Sequence, residues 1–157
     1  MSGDLDALIA ELEAQERELV FVRFDNADAW RLGSSMVAAA MQRSLPVAID
    51  IRRHGHQLFH AALMGTTADN DAWIGRKVNV VNRFGASSYL VGRRLAARGE
   101  ALDEQLGVEP ARFAAHGGAF PIRIADVGVV GSITVSGLPQ AQDHAFVTEM
   151  IRDFLRA

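Results

Sequence analysis

Twice along this chain, two runs of apolar and β-branched residues are separated by a gap too short for anything but a tight reversal. The first pair is Val47–Ile51 and Gln57–Met64, with His54-Gly55 as a two-residue turn. The second is Ala119–Ile124 and Val129–Val135, flanking Ala125-Asp126-Val127-Gly128, whose Asp and Gly suit a turn. Parallel neighbours need a crossover of about a dozen residues or more. Two hairpins therefore favour mostly antiparallel pairing and argue against a parallel, doubly wound sheet. The first turn sets a register with Ile51 opposite Leu58 and Ile49 opposite His60. The second hairpin is almost continuously apolar, which predicts burial on both faces and a central or near-central place in the sheet.

Elsewhere the apolar spacing is helical. Leu5, Leu8, Ile9 and Leu12 predict a helix over 4–18, and Leu19–Phe24 reads as a strand. Asp25 or Asn26 can cap a helix over 26–44 that carries Trp30, Met36, Val37 and Met41, with Ala38-Ala39-Ala40 allowing close approach to a neighbour. Asp69 or Asn70 can cap another from about Asp71 to Phe84, and Ser87 a fourth that ends near Gly99. Residues 100–115 show no period beyond short helical turns at Leu102–Leu106 and Pro110–Phe113. The closing helix, about Pro139–Leu155, gathers Phe146, Val147, Met150, Ile151, Phe154 and Leu155 on one face. The order αβαββααββα predicts an α+β fold, a five-stranded and mostly antiparallel sheet flanked by helices. At 157 residues, with no linker or repeat, the whole chain 1–157 is expected to be one domain.

The formal charge of −3 argues against nucleic-acid binding, which needs a basic stripe. Lys77 is the single lysine against fifteen arginines. There is no cysteine, which excludes disulfides, thiolate metal sites and covalent haem attachment. Six acidic residues among the first twenty are incompatible with a signal peptide, and no apolar run approaches the ~18 residues of a membrane span. A cytoplasmic protein without membrane or nucleic-acid partners is the expectation.

Chemistry is sought where composition and periodicity disagree. At 100° per residue, Trp73, Ile74, Val78, Val80, Val81 and Phe84 span one apolar arc, and Lys77 falls in its middle while Arg76 takes the polar side. An ammonium there must snorkel, pair with a carboxylate, or sit desolvated with a lowered pKa. Asp143, early in the closing helix, is the first choice of partner, with His144 beside it as a candidate acid or base. His116 precedes Gly117-Gly118, where the missing side chains let backbone N–H groups approach an anion or a flat ligand, or merely permit positive φ. His54, His56 and His60 recur at even spacing, but such loose spacing favours a turn and two strand histidines over a metal site. No phosphate loop, nucleophile elbow or H-E-x-x-H helix occurs.

The strand Gly117-Gly118-x-x-Pro121-Ile122, the strand Gly131-x-x-x-Val135-Ser136-Gly137 and the helix led by Asp143-His144 resemble the haem-degrading domain family, which includes GlcG-like and HbpS-like proteins. The likeness continues upstream through Trp73, Arg76-Lys77 and Ser87-Ser88. It implies a profilin-like fold, a homo-oligomer, and haem as a ligand, held in a cleft rimmed by His116, Lys77 and Arg76 with the two cations on its propionates. It supplies no axial ligand. A different small molecule is the alternative. In that reading the protein is an enzyme on a small acidic metabolite, with Lys77 and His144 as acid/base groups and Gly117-Gly118 as an anion nest. A non-enzymatic assembly or adaptor protein is the third reading.

Overall fold

The structure, a computed structural model, describes residues 2–157. Its elements are α1 (Ser2–Glu18), α2 (Asn26–Gln42), β1 (Ala48–Arg53), β2 (His56–Ala62), α3 (Ala68–Phe84), α4 (Ser88–Ala97), β3 (Ala119–Ile124), β4 (Gly128–Ser136) and α5 (Gln140–Arg156). Short 3-10 turns occur at Glu104–Leu106 and Pro110–Arg112. The α+β class holds, but the sheet has four strands in the order β2-β1-β4-β3, all antiparallel, instead of five. The missing strand is Leu19–Phe24. It makes one parallel bridge, Phe21 to Ile124, with the Phe21 N–H donating to Arg123 O (2.8 Å) and the Ala125 N–H to Phe21 O (2.9 Å). Leu19, Phe21 and Phe24 are buried while Val22 is 88% exposed. The run is apolar because it plugs the core, and Asp25 ends it by capping α2 through a reciprocal pair of bonds with Asp28.

β1 and β2 begin in the expected register, Arg53 opposite His56 and Arg52 opposite Gln57, around a His54-Gly55 turn with positive φ at both residues. The register then shifts between Ile51 and Arg52. Leu58 becomes the extra residue of a bulge, so Ile51 pairs with Phe59, Ile49 with Ala61, and His60 with Asp50 rather than Ile49. β4 is paired on both sides, as its apolar character predicts. β3 lies instead at the end of the sheet, with only the Phe21 bridge beyond it; Pro121, which has no N–H to donate, belongs on such a strand.

Thr67, not Asp69 or Asn70, caps α3. Its hydroxyl accepts the Asp69 N–H (3.3 Å), and Asn70 Oδ1 accepts the Thr67 N–H (2.9 Å). Ser87 caps α4 as expected, and α5 starts directly after Pro139. One face of the sheet, with Ile49, Ile51, Phe120, Ile122, Ile133 and Val135, packs on α2 and α5 to form the main core. The other face lies under α3, where Ala48, Ile74 and Val78 make a small apolar cluster among buried Asp50, Ser132, Thr134 and Ser136. α1 closes over α4 through Leu12, Leu90 and Leu95. Among the described residues no helix is long and apolar enough to cross a membrane.

Candidate functional site

The helical period that carries Ile74, Val78 and Val81 into the protein carries Lys77 with them, and only 3% of its surface remains exposed. Its Nζ donates to Asp143 Oδ2 (3.2 Å) and to the Val135 carbonyl (3.1 Å). Asp143, 2% exposed in the first turn of α5, also accepts the N–H groups of Gly137 (3.3 Å) and Leu138 (3.0 Å). Gly118, at φ 140°, passes against the pair: a Cβ there would sit 2.7 Å from Lys77 Nζ and overlap the Val135 carbonyl. The glycine thus makes room for an ammonium. Burial pushes the Lys77 pKa down and the Asp143 charge pulls it partly back. Burial likewise pushes Asp143 up, against Lys77 and the two backbone donors.

Above the pair opens a cavity of about 300 Å³ whose lining includes Asp69, Trp73, Lys77, His116, Ser136 and Asp143. His116 stands at its solvent-exposed mouth, edge-on to Trp73 with ring centroids 5.4 Å apart. Partial loss of hydration, then the positive charges of Lys77, Arg76 and Arg93, hold its pKa below the usual histidine range, so the ring is neutral at pH 7. Arg76 itself does not line the cavity. Its guanidinium lies 4.6 Å from the centre of the Trp73 ring and reaches the Phe113 carbonyl at 3.5 Å.

The remaining candidates lie apart from the cavity or are engaged within the chain. The Gly117 N–H is taken by Gln140 Oε1 (3.0 Å). His144 is buried and turned away from the cavity, with Nε2 2.7 Å from Gln15 Oε1 and its ring 5.0 Å from Tyr89. Its Nδ1 has no partner, and burial drives its pKa down to about 4. The bulge brings His60 to α3, where Nε2 lies 2.7 Å from Asp71 Oδ1. His54 sits in the turn and His56 is exposed. Among the described residues no three His, Asp or Glu side chains are placed to hold a metal ion.

A family model for haem-degrading proteins of the HbpS-like type matches residues 24–152. The chain belongs to this HbpS-like family. It is 58% identical over 147 residues to a UPF0303 protein of Streptomyces coelicolor, covering 94% of this chain and 93% of that one. Among solved structures it is similar to the Ybr137w protein, with 33% identity and a TM-score of 0.85 over 94% of this chain and 87% of the other. The PduOC–heme complex shares the fold at 18% identity, with a TM-score of 0.69 over 83% of this chain and 94% of that one.

Some cavity residues of this family member carry no sequence signal. Gln140 meets Gly117 across 23 positions, and Asp69, read as a helix cap, contributes to the lining instead. Asp50 does not line this cavity but is a buried carboxylate on the same face of the sheet. It is fully buried on β1, accepts from Gln57 Nε2 (2.7 Å) and pairs with Arg52 Nε at 2.9 Å. The readable signal was Arg52 two positions on, hence on the same face.

Proposed function

We propose that this protein binds a small carboxylate-bearing molecule in the cavity above Lys77 and Asp143. One observation carries the reading: the chain's single lysine lies buried in the wall of a cavity that His116 also lines, with the charges of Lys77, Arg76 and Arg93 all acting on the His116 ring. Lys77 and the two arginines supply the positive field at the mouth, and Asp69 and Asp143 in the lining oppose it. A neutral imidazole there can donate to a carboxylate without its own hydration being lost from a charged ring. The volume, about 300 Å³, lies at the lower end for small-molecule sites. The test is thermal unfolding with a panel of carboxylates, amines and alcohols. Carboxylates should raise the melting temperature of the native protein and lose that effect in His116→Ala. Stabilisation by amines alone, or by none of the panel, contradicts the reading.

Haem is the second reading, favoured by the fold shared with the PduOC–heme complex and by the His116 imidazole beside Trp73. The lining of one chain does not fit a whole haem. The cavity is smaller than a tetrapyrrole, and Trp73 and Leu138 are its main apolar walls. Bound haem would need a facing surface from a second copy. A saturable Soret titration abolished by His116→Ala would support it; weak, non-saturating binding would leave the carboxylate reading.

A homo-oligomer belongs to the same proposal. Trp30 (65% exposed) and Met41 (66% exposed) leave large apolar surface on α2, with exposed Ala38 near them. An apolar helical surface of that kind suits an isologous contact. Light scattering should give a multiple of 17.0 kDa; a mass near 17.0 kDa across micromolar concentrations refutes it.

A further inference from the structure

Resting on the carboxylate-binding reading, we propose that Lys77 forms an imine with the carbonyl carbon of a short 2-oxo acid, with Asp143 carrying the protons. The chain's other ion pairs show why Lys77 is exceptional. Glu13, Glu16, Glu18 and Glu149 are each paired with an arginine. Arginine is the better fork for a carboxylate and cannot be deprotonated, whereas lysine can give up its proton when desolvated and become a nucleophile. The one lysine among sixteen basic residues is buried, touches a carboxylate and lines a metabolite-sized cavity. Two acceptors hold its ammonium, one fewer than its donors. Burial lowers the lysine pKa and raises that of Asp143, which narrows the gap a proton must cross between them.

The chemistry closes without an oxidant or a cofactor. Asp143 Oδ2 takes one proton from Lys77, and the freed nitrogen pair attacks the carbonyl carbon. A C–N bond forms as the C=O π pair moves onto oxygen, which is protonated to give a carbinolamine. Nitrogen then releases a second proton, the hydroxyl leaves as water, and the nitrogen pair closes the C=N bond. The two protons lost from nitrogen depart with the oxygen, and the product imine keeps the positive charge of the original ammonium. The arginine field at the mouth suits the carboxylate next to the carbonyl. Asp69 in the lining disfavours a second negative charge, so monocarboxylates are preferred over dicarboxylates.

The experiment uses the intact protein with pyruvate and sodium cyanoborohydride at neutral pH, followed by peptide mass mapping. The expected result is one reduced adduct, at Lys77. Lactate, which has the carboxylate but no carbonyl, should slow its formation and yield none itself. Asp143→Asn should slow trapping roughly a hundredfold, and Lys77→Met should abolish it. The adduct is read on the unmodified sequence, so the outcome stands even where a variant folds poorly. Pyruvate that raises the melting temperature while no adduct forms, or while the adduct is confined to the chain's α-amino group, overturns the imine and leaves carboxylate binding intact. No stabilisation by pyruvate or lactate and no adduct overturns both.

Discussion

On the α2 and α5 side of the sheet, Ile49, Ile51, Ile133 and Val135 meet Leu32, Met36, Val147 and Ile151 in a continuous apolar core. On the α3 side the same two central strands present Asp50, Ser132, Thr134 and Ser136, all buried, and α3 answers with Lys77. The alternation Ser132-Ile133-Thr134-Val135-Ser136 divides these roles between adjacent residues. Hydrophobic burial on one face stabilises the fold by about 1.5–3 kcal/mol per large side chain. The other face carries groups whose burial is costly unless they are paired. That contrast is the reason the proposed site lies on the α3 side, where buried polar groups cost stability instead of adding to it.

The largest expected effect lies on the polar face. Asp143→Ala leaves the Lys77 ammonium buried with the Val135 carbonyl as its remaining acceptor, and should cost about 3–5 kcal/mol in urea unfolding. Replacing both partners, Lys77→Met with Asp143→Leu, should recover most of that loss. A cost under about 1 kcal/mol for Asp143→Ala would mean the pair is solvated, and the contrast between faces would fail at its centre. On the apolar face, Ile133→Ala should cost about 2–5 kcal/mol through lost burial and a residual cavity. The melting shift that carboxylates produce should survive it, because Ile133 points away from α3.

Helical arithmetic made the lysine legible, and its pairing with Asp143 was the expected one because α5 begins where β4 ends. The hairpins were equally legible. Three features were not, each for a physical reason. The Leu58 bulge inserts a residue that alternation cannot register, so His60 moved from Ile49 to Asp50 and reached Asp71. Leu19–Phe24 has the composition of a strand but bonds the sheet at one residue, since apolar content reports burial and not pairing. The Gly117 N–H, free in sequence, is taken by a glutamine 23 positions away. Pro121, which cannot donate to a neighbouring strand, suits the end position that β3 takes in place of the central one its apolar run predicts.

The acid limb of stability separates the faces in another way. His144 is neutral in the fold, with a pKa of about 4 against 6.5 for a free histidine. Its folded pKa is depressed, so stability is fully present above about pH 6.5 and falls as pH drops towards 4, by about 3 kcal/mol in all. Glu16 and Asp143, whose folded pKa values are raised, act oppositely: their penalty at neutral pH is relieved on acidification. His144→Leu isolates the first contribution. Urea unfolding at pH 7 and pH 4.5 should show a smaller acid loss in the variant than in the parent protein; equal losses would place the titration elsewhere.

The smallest effect is the most discriminating for the α3 face. Ser132 is fully buried between Arg52 and Pro121, and its Oγ has no hydrogen-bond partner in the protein. A buried hydroxyl without a partner retains its desolvation cost, roughly 1–3 kcal/mol, with no bond to offset it. Ser132→Ala removes that group while leaving a cavity no larger than the lost oxygen. The variant should therefore be as stable as the parent or more stable by up to about 1 kcal/mol, the reverse in sign of Ile133→Ala one residue away. A loss above 1 kcal/mol would show that the hydroxyl is engaged in the native protein, and the buried row Ser132, Thr134 and Asp50 would then count as a bonded network that supports the fold.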